Sequence, residues 1–145
     1  SERGYHLEFI NPSVMPKASI MVASGKFVLT PMEGRLRAAG VVEFGGLTET
    51  RSKAPLALLR KKVKTFFPRL QAEGEEEWLG FRPAPTDSLP LIGEVGTSGV
   101  FAAFGHHHIG LTGGPKTGRL VADMITGQHS NNDMRPFQPM RFAKG

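Results

Sequence analysis

VFAAFGHHHIGLTGGPKTGRLVADMITG, residues 100–127, passes from an apolar run through a glycine-rich turn into a helical pattern. Val100 to Phe104 has the length of a strand, and a run without polar partners reads as a strand buried on both faces. Leu120, Val121, Met124 and Ile125 recur at helical spacing, and Gly127 follows as a stop signal. The first turn of a helix presents unpaired backbone N–H groups and a partial positive charge, so it attracts anions or electron-rich oxygens. Gly105, Gly110, Gly113 and Gly114 would let a planar ligand approach the backbone. Glycines ahead of a helix also serve ordinary turns, so this feature alone names no ligand. A phosphate loop is excluded despite GGPKTG, because no glycine precedes the lysine and Pro115 removes a donor amide. The tract His106, His107, His108 invites a metal. Alternation along an extended segment lets only His106 and His108 share a face, and His6 and His129 are remote in sequence, so no metal is expected.

Outward toward the N-terminus, the pattern is that of an antiparallel meander. Tyr5 to Phe9 alternates, Ser19 to Val22 is apolar, and Lys26 to Thr30 is rich in strand formers, with Ser24-Gly25 reading as a tight hairpin turn. Met32-Glu33-Gly34 makes another turn, and Arg35 to Phe44 places Leu36, Ala38 and Val42 on one face. A helix over about 53–67 follows, with Leu56, Leu59, Val63 and Phe66 on an apolar stripe and Pro68 as its stop. After the acidic residues Glu73 to Glu77, EEEWLGFRP reads as one further strand, carrying the only tryptophan, Trp78. The tail NNDMRPFQPMRF is polar and proline-broken, suited to tying back onto the surface.

The composition, 39% hydrophobic and 21% charged over 145 residues, suits a globular chain of about one domain. No apolar run approaches the roughly 20 residues needed to span a bilayer. With no cysteine, disulfide scaffolds and cysteine-based metal sites are excluded. The formal charge of +5 raises nucleic acid as a partner. The densest basic run, Arg60, Lys61, Lys62 and Lys64, falls on the predicted helix without interleaved aromatic residues. It reads as a solvated helix face and not a nucleic-acid patch.

GFRPAPTDSLPLIG, residues 80–93, and the 100–127 stretch together carry a resemblance. Their order is G-apolar-R-P, then D-x-x-P-x-I-G, a strand ending G-H, and G-apolar-T-x-x-P-x-T-G leading into a helix. This resembles the C-terminal signature of the glycine oxidase and D-amino-acid oxidase or dehydrogenase family of flavoproteins. TPMEGRLRAAGVVEFGG, residues 30–46, is similar to two antiparallel strands of that family's substrate domain. The resemblance covers nearly the whole chain.

It implies an α+β fold. An antiparallel or mixed sheet of a flavoprotein substrate domain, with its packed helix, would occupy 1–77, and 78–145 would contribute a strand, loop and helix to the flavin site. The family's G-x-G-x-x-G unit for the adenosine pyrophosphate does not occur in these residues. The chain opens SERGYHLEF directly into a strand-like pattern, with no leader in view, so it is expected to be the C-terminal portion of a longer enzyme. On that expectation it would bind FAD poorly alone, would be inactive in isolation, and would self-associate through uncovered apolar faces.

Residue by residue, the resemblance places Arg82 on the arginine that pairs with the substrate carboxylate. Gly105, His106, His107, His108, Ile109, Gly110, Leu111 and Thr112 fall on the segment that curves around the isoalloxazine ring, mostly by backbone groups. His108 falls where some relatives also touch substrate. The implied reaction is oxidation of an amine carbon by hydride transfer to FAD, for which the family is not thought to need a protein acid or base. No catalytic residue is therefore named, and Asp87 reads as a turn-former. Glycine, sarcosine or a larger D-amino acid remain open as substrate. So do oxygen and a membrane quinone as electron acceptor, and with them a cytoplasmic location or one peripheral to the inner face of the cytoplasmic membrane. The alternative is a non-catalytic ligand-binding or interaction domain derived from such a flavoprotein.

Overall fold

The structure, a computed structural model, describes residues 1–143. The chain forms two compact units, the first over Ser1–Phe81 and the second beginning at Arg82. Among the described residues no helix is long and apolar enough to cross a membrane.

In the first unit, β1 (Glu2–Ile10), β2 (Ile20–Val22), β3 (Phe27–Met32), β4 (Arg35–Phe44) and β5 (Gly74–Arg82) form a five-stranded sheet in the order β2-β3-β4-β1-β5. The pairs β2–β3, β3–β4 and β1–β4 are antiparallel. Strand alternation sends Tyr5, Leu7 and Phe9 of β1, Phe27 and Leu29 of β3, and Leu36, Ala38 and Val41 of β4 into one core. Helix α1 (Lys53–Phe66) covers it with Leu56, Leu59 and Val63. The predicted α+β sheet and packed helix are therefore present.

Two local expectations are corrected. The buried residue at the end of β4 is Val41, and Val42 is exposed. Tyr5 pairs with Val41 but His6 pairs with Ala39, so Gly40 is an extra residue that switches the strand's parity. Gly40 sits at φ +135°, and a β-carbon there would stand 2.7 Å from the Lys26 carbonyl oxygen. The first hairpin turn is also longer than Ser24-Gly25: Val22 pairs with Phe27 across a four-residue connection, with Lys26 at φ 50°.

A polar knot fixes where α1 starts. Tyr5 donates its hydroxyl to Glu43 Oε2 at 2.7 Å and accepts the Ser52 N–H at 3.2 Å, while Ser52 Oγ donates to the same carboxylate at 3.0 Å. Arg3 lies 3.4 Å from Glu43 and donates to the Thr50 carbonyl. The Tyr5 hydrogen bond, reinforced by that of Ser52, holds the Glu43 carboxyl below its ordinary pKa. On the exposed side of α1, Arg60 is engaged by Glu75 and Glu77, each at 2.6 Å. The acidic run thus belongs largely to β5 and opposes part of the basic helix face. His6 stacks on Trp78 with ring centroids 4.7 Å apart.

In the second unit, β6 (Leu91–Glu94) and β7 (Phe101–Phe104) pair antiparallel, and α2 (Gly110–Ile125) packs against both. The expectation that β7 is buried on both faces is corrected: among the described residues its only sheet neighbour is β6, and Phe104 is 51% exposed. Gly127, at φ 68°, ends α2 as expected. Its N–H donates to the Met124 carbonyl and that of Gln128 to the Asp123 carbonyl, the paired closure of a left-handed helix cap. The tail, through 3₁₀ turns at Arg135–Phe137 and Pro139–Phe142, returns to the 87–90 loop. Arg141 closes a two-point pair on Asp87, Nε to Oδ2 at 2.7 Å and Nη2 to Oδ1 at 2.9 Å.

Two measurements test this account. Leu59 is fully buried, so Leu59→Ala should destabilise the first unit by about 2–5 kcal/mol, read from urea unfolding. An unchanged midpoint would refute the proposed core. The Arg141 guanidinium pulls Asp87 down to about 2. Its folded pKa lies below the unfolded value of about 3.9, so the clamp's contribution is complete above that value and is lost as pH falls toward 2. The stability difference between the parent and Asp87→Asn should be constant above pH ~4 and vanish near pH ~2; a difference independent of pH would contradict the clamp.

Candidate functional site

Arg82 is the last residue of β5, and Pro83 behind it favours the extended backbone. Its side chain is half-buried, and its Nη1 is buried with no hydrogen-bond partner among the described residues. A buried guanidinium nitrogen without an acceptor is unfavourable by itself, because it has lost water and gained nothing. It is the condition in which an incoming carboxylate binds well, since two parallel N–H donors match two oxygens.

The loop after Arg82 is built stiff. Pro83 and Pro85 fix their φ angles, and the Ser88 N–H donates to the Pro85 carbonyl at 3.0 Å. Asp87 Oδ1 accepts the Leu89 N–H at 3.1 Å, the turn-forming role read from the sequence. Its pair with Arg141 was not read from the sequence. The two residues stand 54 positions apart, and no local pattern links them. Pro85 then packs on Gly105. A β-carbon at Gly105 would lie 2.8 Å from Pro85 Cγ, and Gly105 has φ +89°, so glycine is required twice over.

Gly105 begins the predicted cofactor segment, whose three histidines part ways. His106 turns inward, and its Nε2 shares a 2.8 Å hydrogen bond with Thr117 Oγ1, itself 6% exposed. The ring lies under the first turn of α2: a β-carbon at Gly113 would stand 3.4 Å from His106 Cδ2, and one at Gly110 would stand 3.4 Å from His106 Cβ. His107 takes φ 51°, which breaks the strand alternation, and His108 is exposed. Ile109 and Thr112 are exposed and Gly110 is half-buried, while Leu111 is 96% exposed. No side chain caps the first turn of α2, and no acidic residue lies in it. Its amide groups and positive dipole end are thus available to an electron-rich ring edge.

The first turn of α2 leaves room for a planar ligand. Gly110, Gly113 and Gly114 carry no side chain on the first turn, nothing lies within 4 Å of a β-carbon built at Gly114, and the exposed Ile109 and Leu111 offer apolar surface. Sequence reasoning missed Thr117 as the partner of His106.

The description "FAD dependent oxidoreductase" matches residues 1–124. The chain is 40% identical over 98% of its length to a D-amino-acid oxidase of Bradyrhizobium diazoefficiens. To a D-amino acid dehydrogenase of Allorhizobium ampelinum it is 30% identical over 99% of its length. It spans 35% and 34% of the lengths of these relatives, about a third. The crystal structure of a glycine oxidase from Geobacillus kaustophilus matches 99% of the chain with a TM-score of 0.76 and 23% identity, and this chain covers 39% of that one. At that identity the likeness speaks for the fold alone. The match to most of the sequence establishes the family: the chain belongs to the FAD-dependent oxidoreductases.

Proposed function

We propose that this chain is the C-terminal portion of an FAD-dependent enzyme that oxidises the amine carbon of a small amino acid, either a D-amino acid or glycine or sarcosine. The observation that carries the reading is the buried, unpartnered Nη1 of Arg82. The names of the relatives, D-amino-acid oxidase and D-amino acid dehydrogenase, agree with it.

In this reading residues 1–77 belong to the substrate domain, and 78–145 complete the flavin site. Arg82 binds the substrate carboxylate with its planar fork, and the stiff Pro83–Pro85 segment limits the entropy lost when it does so. The backbone from Gly105 to Thr112 would hold the isoalloxazine ring, and the exposed His108 side chain would touch the substrate. The first turn of α2 would supply amide groups and a positive dipole end to negative charge on the bound ring. FAD, when bound, supplies the acceptor for the hydride leaving the amine carbon. The resulting imine is hydrolysed by water. Positioning by these residues supplies the rate, without a protein acid or base.

The test of the substrate role is Arg82→Ala and Arg82→Lys in the full-length protein. Loss of a buried charge-assisted pair should lower kcat/KM for the amino acid by roughly thirty- to several-thousand-fold, about 2–5 kcal/mol. The loss should be smaller for the matching amine that lacks a carboxylate, and the flavin absorption should persist. Variants as active as the parent on the amino acid would refute the assignment. A second test concerns the isolated 145-residue chain. Val100, Phe104, Ile109, Leu111 and Ile125 are exposed apolar side chains of the second unit. Light scattering should therefore find a dimer or larger assembly, and no yellow colour should survive purification. A monodisperse monomer would contradict the first expectation, and retained FAD the second.

A further inference from the structure

The Arg82 loop is held from a distance by one residue of the tail. Arg141 spends its guanidinium on this loop: besides the two-point pair with Asp87, Nη2 donates to the Leu89 carbonyl at 2.7 Å. Its Nη1 lies 3.4 Å from the Pro90 carbonyl oxygen, and 3.2 Å from that of Gln138 in the tail itself. The Arg141 side chain is only 12% exposed, while Asp87 keeps a third of its side chain in solvent, so the guanidinium is the ordered member of the pair. The guanidinium also sits 4.4 Å over the ring of Phe142. Phe142 in turn lines an apolar recess of about 540 Å³ with Pro83, Pro85 and Phe104. The tail therefore holds the segment that follows Arg82 at residues 87–90 through Arg141, while Phe142 borders the recess beside its prolines.

We infer that Arg141, through its pair with Asp87, is the positioning residue that aims Arg82 at the substrate carboxylate. The inference rests on the substrate role proposed for Arg82. The physical reason is stiffness. A paired contact between two planar groups tolerates little misplacement, and an error of about 1 Å can cost on the order of a hundredfold. Prolines limit φ but leave the loop free to swing as a body. A multidentate anchor at its far end removes that freedom before substrate arrives. Lysine in place of Arg141 would keep the charge but could not bridge both Asp87 oxygens in one plane.

The experiment uses the full-length flavoprotein with Arg82→Ala, Arg141→Ala, Arg141→Lys and Asp87→Asn. Propionate affinity is read from the change in flavin absorbance, together with KM and kcat for D-alanine and the thermal midpoint. The isosteric Asp87→Asn variant keeps the test informative should Arg141→Ala fail to fold. Propionate binding should weaken about ten- to a hundredfold in Arg141→Ala and Asp87→Asn, with KM for D-alanine rising far more than kcat falls. Arg141→Lys should recover only part of the affinity. If Arg82→Ala weakens propionate while the Arg141 and Asp87 variants bind it as the parent does, the inference is overturned and the Arg82 reading stands. If Arg82→Ala itself binds propionate normally, or the parent does not bind it, the Arg82 reading fails and this inference with it.

Discussion

The close packing of Pro85 on Gly105 is the constraint on which the second unit's candidate site depends. One side of that contact belongs to the loop that starts at Arg82, the other to the turn that opens into α2. Any side chain at Gly105 would force the two apart, and its φ of +89° already disfavours one. Two groups that are costly in isolation, an orphaned guanidinium nitrogen and an uncapped helix turn, are thereby kept in one compact body. Such groups are retained where binding energy is to be recovered later, since ordering them beforehand lowers what a ligand must overcome.

The first unit has a plainer task, and its interactions are those of a self-sufficient α+β layer. One sheet face is buried by α1, and the helix start is pinned by a shared carboxylate, Glu43, that serves Tyr5 and Ser52 together. The basic helix face is partly occupied, because Arg60 is committed to Glu75 and Glu77.

Much of this was legible in the sequence, for identifiable reasons. The residue pattern located β1 to β5, β7 and both helices, because burial of one face imposes periods of 2 and 3.6, whereas the short β6, Leu91–Glu94 after a proline, was not read as a strand. Gly40 defeated that logic locally: a bulge inserts one residue and reverses the parity, so Val41 and not Val42 is buried. The histidine tract shows a different limit. Alternation assumes extended backbone throughout, and His107 at φ 51° violates it, so only the structure reveals that His106 faces Thr117. Arg141 was hidden for a third reason. Its acceptors are a carboxylate and carbonyls brought together by tertiary folding, and carbonyl acceptors leave no trace in residue identity.

The clamp between Asp87 and Arg141 also has a consequence for the order of assembly on the ribosome. Synthesis is vectorial, so Asp87 is joined to the chain 54 residues ahead of its partner. Until Arg141 emerges, the carboxylate is hydrated and the Arg82 loop has only its prolines and local turn to shape it. At about 5–20 residues per second, that interval lasts several seconds, far longer than the microseconds in which helices and hairpins form. The first unit can complete its core during this time, and the loop that presents Arg82 sets last. On this order of synthesis the sheet of the first unit can be complete while the loop that carries Arg82 still lacks its anchor.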